Sequence, residues 1–535
     1  MLNAESKEQN PPFGTIRSYI WPIYSFELKK LLPMFFMVFL IAFNSSVLRN
    51  MKDTVVVTAS GAEVIPFIKL WVMLPMAVVL TIIFTKLSNR FSQERVFYLM
   101  TTGFLSFFAL YTFVLYPLRD TIHPHAFADY LMEVLPGGAR GFVEMIRNWS
   151  FTGFYVMSEL WIAIILNVLF WGFANEITRI AEARRFYAVL ALGANFAAIV
   201  AGLVGNHLNK ISLSAIPILG SKAGWEQDQM SLLLVVIACG LVTMAIFRWM
   251  NRNVLTDASF DEFHYNKKQL KMKGKLSFRE SFSYLSNSKY LLCIATLVVG
   301  YNLVINLVEV VWKDQLRVLY PDPSDFNRYT NNLTTALGVI STITALFMAK
   351  IIGRFGWTKT ALITPVIMLI TCAGFFSFFL FQDSLGGVVF ALTGITPLAI
   401  AVFFGGVQNC LSKAAKYSVF DATTQMAYIP LSHECKLKGK AAIDGVGSRL
   451  GKSGGSFIHQ GLLLIFDTLP RGAPYVAGIL AFMIGLWIVA TRSLGRQFNA
   501  LVATSENKTD VRPFQEPQEA PQTSRLEAKP LNATT

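Results

Sequence analysis

The feature that most constrains this chain is a series of long apolar segments. A helix needs about 20 apolar residues to cross the roughly 30 Å hydrocarbon core of a bilayer. Because 53% of the 535 residues are hydrophobic and only 15% are charged, the sequence predicts an all-α membrane protein. Twelve long segments carry few charges: eleven have none or one, and 445–466 has two, Arg449 and Lys452. We predict a transmembrane helix at each, approximately over 31–48, 64–85, 96–118, 149–175, 186–207, 229–247, 290–312, 329–349, 360–382, 386–409, 445–466 and 472–491.

Lysine and arginine are distributed unequally between the segments that connect these helices. The set of connections that includes both termini holds most of them, and the alternate set holds fewer than half as many. Basic connections normally stay in the cytoplasm, so we expect both termini there. The formal net charge of +14 follows from this bias and does not indicate nucleic-acid binding.

The longest strongly basic connection, 248–289, predicts a division into two pseudo-symmetric halves of six helices. Short echoes favour this: FWGFAN resembles FFGGVQN, and Lys-Asp pairs follow the first and seventh predicted helices. Transporters built from such halves bind substrate between them near the midplane. The predicted divisions are a cytoplasmic segment 1–30, a first half 31–247, the basic linker 248–289, a second half 290–496 and a disordered cytoplasmic tail 497–535.

A second long connection, 410–443, alternates apolar and basic residues. We expect a helix on the cytoplasmic surface there.

Besides Arg449 near the start of the eleventh predicted helix, four charged residues interrupt the predicted helices: Lys69 in the second, Glu159 in the fourth, Glu309 in the seventh and Lys452 in the eleventh. Each costs about 2.5 to 3.5 kcal/mol at a helix centre that faces lipid. We expect all four to line one central cavity, where the lysines neutralise an anion and the glutamates pair with them or hold a proton. Alternatively, they form internal ion pairs that fix helix packing, or Lys69 and Glu309 extend to water.

Amide side chains add polarity to the same region. Asn302 and Asn306 lie one turn apart, on one helix face with Glu309, and Asn195 lies in the fifth predicted helix. These amides can bind the edge of a nucleobase, or they can form hydrogen bonds between helices.

The glycine-rich stretch from Lys436 to Gly455 does not form a phosphate-binding P-loop. Counting back from Lys452, the position that requires glycine holds Val446. The five cysteines have no paired spacing, so we predict no disulfide framework, metal site or cofactor.

Four long segments resemble one family, the plastid and intracellular-bacterial nucleotide transporters, or bacterial-type ATP/ADP translocases. They are RNMKDTVVVTASGAEVIPFIKLWVMLPMA, SELWIAIILNVLFWGFANEITRIAEARRFY, NLVEVVWK and KLKGKAAIDGVGSRLGKSGG. The resemblance implies a fold like that of the major facilitator superfamily and exchange of ATP for ADP, with or without phosphate. It implies transport roles for Lys69, Glu159 and Glu309, and for Lys452 or a lysine among 436, 438 and 440.

From the resemblance we expect a monomer in the bilayer of a bacterial inner membrane that imports host ATP. Lys69 and Lys452 would contact phosphates, with Arg49 or Lys440 guiding the nucleotide toward them. The nearest alternative is a proton-coupled importer of nucleoside triphosphates on the same fold. A membrane-embedded nucleotide-hydrolysing enzyme or a passive channel fits less well, because the chain has no P-loop and its intramembrane charges lie on four different helices.

Overall fold

The computed structural model of this chain describes residues 23–178, 180–208, 224–255, 288–431, 443 and 447–510. Predictions for residues 1–22, for most of the basic linker, for residues 432–442 and for the chain beyond 510 fall outside the described residues.

The described chain is built of helices joined by short connections. We number the main ones α1 Leu28–Ser60, α2 Val64–Arg90, α3 Gln93–Leu115, α4 His125–Val134, α5 Arg140–Arg147, α6 Trp149–Ile177, α7 Ile180–Leu208, α8 Trp225–Asn253, α9 Lys289–Leu319, α10 Pro323–Leu380, α11 Gln382–Thr393, α12 Pro397–Ala427, α13 Ser448–Phe466 and α14 Leu469–Asp510.

Within the described residues, ten helices are long and apolar enough to cross a membrane. The predicted eighth and eleventh segments correspond to the first part of α10 and to α13, which are helical but are not among those ten. The prediction of an all-helical membrane protein is therefore confirmed, and each of the twelve predicted segments overlaps a helix.

Two glycines divide the region between α10 and α12. Gly356 has φ of 72° and bends α10 between the predicted eighth and ninth segments. Gly394, with φ of 67°, ends α11 in the left-handed conformation that glycine adopts most easily. The Thr396 hydroxyl then accepts a hydrogen bond from Ala399 N at 3.3 Å, and Pro397 occupies the first turn of α12. The predicted tenth helix over 386–409 was thus wrong at its start, because these signals begin a new helix.

The surface helix predicted within 410–443 was also wrong over its first part. Helix α12 continues as a candidate membrane span to Ala427. Its two basic residues have acidic partners, since Lys413 Nζ lies 3.3 Å from Glu309 Oε1 and Lys416 Nζ lies 3.1 Å from Asp421 Oδ2. A charged residue that has an ion-pair partner can lie in a membrane helix. The sequence alone does not show the partner, so the charges in this segment led to a prediction at the surface.

The prediction of a disordered tail was wrong over its first residues. Helix α14 extends to Asp510, so residues 497–510 are helical rather than disordered.

Helices before residue 256 meet helices after residue 287 mainly at one side of the bundle. We call the side where α1 ends and α10 begins the distal face, and the opposite side the proximal face. Polar groups, most of them buried, join the two sets of helices there: Asn50 Nδ2 donates to Asn331 Oδ1 at 2.8 Å, Thr334 Oγ1 donates to Asn50 Oδ1 at 3.0 Å, Ser324 Oγ donates to Asp228 Oδ2 at 2.9 Å and Gln460 Nε2 donates to Pro66 O at 3.0 Å.

The helix backbones also approach each other closely on the distal side of the bundle. A methyl group on Gly202 of α7 would overlap the Thr335 hydroxyl and the Asn331 carbonyl of α10. A methyl group on Gly138, just before α5, would overlap the Leu463 carbonyl of α13. Small residues let helix backbones approach in this way, so the distal side of the bundle is tightly packed.

Candidate functional site

The intramembrane charges meet in one cluster between α1, α2, α6, α9, α12 and α13. The part of the cluster that is least exposed to solvent is an ion-paired group of Lys52, Asp53 and Lys313. Asp53 Oδ2 lies 2.8 Å from Lys313 Nζ, and Asp53 Oδ1 lies 3.0 Å from Lys52 Nζ. The three side chains are at most 9% exposed. One carboxylate thus contacts two buried ammonium groups and ties α1 to α9.

Glu309 is a second centre of the cluster. Its Oε1 atom lies 3.3 Å from both Lys313 Nζ and Lys413 Nζ, and its Oε2 atom lies 4.0 Å from Lys69 Nζ. Three ammonium groups from three helices therefore surround one carboxylate. Such an arrangement holds a net positive charge where an anion can be accommodated.

Lys69 also has a neutral partner, because its Nζ donates to Asn306 Oδ1 at 2.6 Å. Asn306 Nδ2 donates to Asn302 O, one turn back in α9, which fixes the orientation of the amide. The predicted proximity of Lys69, Asn306 and Glu309 is seen in the structure.

Glu159 is the most accessible acidic group of the cluster, at 33% exposed. Its Oε2 lies 3.3 Å from Lys52 Nζ, which also stands 3.8 Å from the centre of the Tyr155 ring. Lys452 and Arg49 lie within electrostatic range of Glu159, although neither forms an ion pair with it among the described residues. Both of these predicted residues therefore share the region of Lys69 and Glu309.

Among the described residues, positive charge exceeds negative charge in this cluster. The basic members outnumber the acidic ones by six to three: Arg49, Lys52, Lys69, Lys313, Lys413 and Lys452 against Asp53, Glu159 and Glu309. Lys69, Glu309 and Lys413 are each 15 to 18% exposed although membrane helices surround them. The arrangement fits a small, multiply charged anion better than a cation or a neutral solute.

Unusual helix geometry occurs beside several of these residues. Lys69 lies within a π-helical segment, Ile68–Met73, and Glu159 lies three residues before another, Ile162–Phe170. A third such segment, Lys416–Phe420, begins three residues after Lys413. π-Helical turns inside α-helices occur frequently at functional sites, so three of them around one charged cluster support a functional role.

The glycines around Lys452 serve helix packing. A methyl group on Gly451 would lie 2.8 Å from both Val299 O and Asn302 Cβ of α9, and one on Gly455 would lie 3.1 Å from Asn306 Cβ. This close approach brings α13 against the helix that carries Glu309. Asn302 is buried under that contact, and its Nδ2 donates to Val298 O in its own helix.

Two predicted site residues are not placed in the cluster. Asn195 lies in α7 with its backbone carbonyl packed against Gly338 of α10, and its side chain makes no hydrogen bond within the described part of the chain. Lys440 lies outside the described residues.

The sequence interpretation missed four members of the cluster, namely Lys52, Asp53, Lys313 and Lys413. Three of them follow the ends of the predicted first and seventh helices, which are longer in the structure. Their signal was the Lys-Asp pair repeated at 52–53 and 313–314. Lys413 was missed because its segment was assigned to the membrane surface.

A bundle of membrane helices with a charged, partly accessible centre defines a solute transporter as the class of protein. The chain belongs to the TLC ATP/ADP transporter family, whose model matches residues 6–498.

Curated relatives are similar over nearly the whole chain. "ADP,ATP carrier protein 1" of Chlamydia pneumoniae is 46% identical over 509 residues, covering 94% of this chain and 98% of that protein. The protein of the same name from Chlamydia trachomatis serovar D is 47% identical over 504 residues, with 93% and 94% covered. "ADP,ATP carrier protein 1, chloroplastic" of Arabidopsis thaliana is 41% identical over 486 residues, with 90% and 76% covered.

Solved structures resemble this chain more distantly. The partially occluded inward-open xylose transporter XylE from E. coli has a TM-score of 0.49 and 12% identity, covering 88% of this chain and 97% of that one. An inward-facing bacterial homologue of the iron transporter ferroportin has a TM-score of 0.49 and 11% identity, with 90% and 99% covered.

Proposed function

We propose that this protein exchanges ATP for ADP across a bacterial inner membrane, with both termini in the cytoplasm. The observation that carries the proposal is the excess of basic side chains in a partly accessible intramembrane cluster, in a chain of the TLC ATP/ADP transporter family. Nucleotide phosphates are multiply charged anions, and they offset this excess when bound. Direction follows cellular gradients, and import of host ATP is the direction we propose.

In this proposal Lys69 and Lys452 contact phosphate groups as point charges. Glu159 and Glu309 neutralise the basic residues while the site is empty, as the 3.3 Å contact of Glu159 with Lys52 illustrates. Arg49 and Lys440 guide the nucleotide toward the site. Asn306, which lies next to Lys69, supplies a polar contact to the rest of the nucleotide.

Transport proceeds by alternating access between two halves, 31–247 and 290–496. The packed distal face supports this, because the polar contacts between Asn50, Asn331 and Thr334 close one side of the cluster. A polar interface can exchange its hydrogen bonds for water when the halves separate. The described conformation then corresponds to a carrier that is closed toward the outside.

Uptake of labelled ATP into proteoliposomes tests the function. We expect strong stimulation by internal ADP over empty vesicles or vesicles loaded with other nucleotides. ATP uptake that does not depend on internal ADP but increases with a proton gradient would instead identify the proton-coupled importer. Hydrolysis of the nucleotide by the purified protein would revive the enzyme alternative. Parallel assays with and without internal phosphate determine whether phosphate accompanies ADP.

A further inference from the structure

Lys413 differs from the other lysines of the cluster in how it is held. Its Nζ lies 3.3 Å from Glu309 Oε1, and Glu309 is its one acidic partner within ion-pair distance among the described residues. Lys313 is bound more firmly, since it also pairs with Asp53 at 2.8 Å. Lys413 is 18% exposed whereas Lys313 is 5% exposed, so the accessible ammonium group is also the more weakly held one.

Glu309 stands between Lys413 and Lys69. Its Oε1 lies 3.3 Å from Lys413 Nζ and equally close to Lys313 Nζ, and its Oε2 lies 4.0 Å from Lys69 Nζ. A phosphate group presents oxygens of the same kind with more negative charge, and charge-assisted hydrogen bonds to it are stronger than neutral ones.

We infer that Lys413 is a further substrate-binding residue, which together with Lys69 binds a phosphate group of the nucleotide in place of the Glu309 carboxylate. This inference rests on the proposed nucleotide exchange and adds a residue that family resemblance did not supply.

Glu309 keeps a counter-charge when Lys413 and Lys69 bind the phosphate group instead. When Lys413 and Lys69 turn to the phosphate, Lys313 still lies 3.3 Å from Glu309 and 2.8 Å from Asp53. An isolated buried carboxylate would oppose binding, because an uncompensated buried charge is strongly destabilising. Glu309 thus occupies the phosphate position in the empty carrier and releases it at low cost.

Lys416 provides a matched control in the same helix. It lies three residues from Lys413, and its Nζ pairs with Asp421 Oδ2 at 3.1 Å, toward the proximal end of α12. K413Q and K416Q remove the same charge from one helix, but only the first alters the Glu309 group.

The test measures ADP affinity of the purified, full-length protein from the ADP-dependent rise in unfolding temperature. We expect K413Q to weaken ADP binding about tenfold, the loss typical of one hydrogen bond to a charged group, and K416Q to bind like the wild type. Unfolding temperature without ADP checks that each variant is folded. Wild-type affinity in K413Q would overturn the inference.

A second comparison separates phosphate binding from simple neutralisation of Glu309. If Lys413 only neutralises that carboxylate, K413Q has no further effect in an E309Q protein. Phosphate contact predicts a further loss of about tenfold in the double variant relative to E309Q. The double variant removes both charges, so it remains informative if K413Q alone does not fold. Failure of the wild type to bind ADP would refute the proposed function itself.

Discussion

Lys313 Nζ in α9 lies 2.8 Å from Asp53 Oδ2 in α1, and this ion pair joins two membrane helices that are 260 residues apart in the chain. Lys52 Nζ approaches the other oxygen of the same carboxylate at 3.0 Å. Asp53 is therefore the shared counter-charge of two buried lysines. The sequence-equivalent Asp314 differs, since its Oδ2 accepts a hydrogen bond from the neighbouring Gln315 at 3.0 Å.

Replacing Asp53 by Asn should destabilise the protein strongly. The change leaves Lys52 and Lys313 with less counter-charge in a dry environment, and breaking a buried pair costs on the order of 3 kcal/mol. We expect a clear drop in the unfolding temperature of the detergent-purified protein. D314N is the matched control and should change it little; equal effects of the two substitutions would contradict the assignment of Asp53 as the shared counter-charge.

Replacing Lys69 by Gln should reduce nucleotide uptake by about tenfold or more, because one charge-assisted contact to phosphate is lost. Folding should be retained, since Lys69 is partly accessible and its main hydrogen bond goes to the neutral Asn306. Uptake into ADP-loaded proteoliposomes measures the effect. K86Q alters an exposed lysine near the other end of α2 and serves as the control. Unchanged uptake in K69Q would remove Lys69 from the site.

Replacing Gly451 by Ala should destabilise the contact of α13 with α9. The new methyl group would lie 2.8 Å from Val299 O, a backbone atom that cannot move aside alone. Overpacking of this kind costs about 1 to 3 kcal/mol. Gly461 in the same helix has open space around it, so G461A should be neutral. Thermal unfolding of both variants compares the two positions, and a neutral G451A would show that the helices can separate freely.

We expect His123, at the distal face, to make the stability of the protein depend on pH. Burial lowers the pKa of this histidine, whose Nε2 lies 2.7 Å from Ser150 Oγ and whose ring packs on Phe151. His125, Asp120 and Arg119 are the nearby titratable groups. Because the unfolded chain takes up the proton first, near pH 6.5, stability should fall as the pH drops below about 6.5.

Unfolding temperatures between pH 8 and pH 5 measure this contribution. The wild type should lose more stability over that range than H123F, which cannot bind the proton. A slope in H123F equal to that of the wild type would assign the pH dependence to other groups.

Sequence by itself determined that this chain is a helical membrane protein and the approximate positions of most of its helices, because about 20 apolar residues are needed at each crossing. It also identified Lys69, Glu159, Glu309 and Lys452 as candidate site residues. A charge in an apolar segment is costly to place in a membrane, so such residues often have a function. Both inferences depend on properties local to one segment.

Tertiary structure decided which charges meet. Lys413 was assigned to the membrane surface from its own segment, and its partner Glu309 lies 104 residues earlier in the chain. Whether a basic residue can lie inside the membrane depends on such a partner, and pairing between helices cannot be computed from one segment alone. The same reason explains why the dry group of Lys52, Asp53 and Lys313, and the polar closure of the distal face, became visible only in the folded molecule.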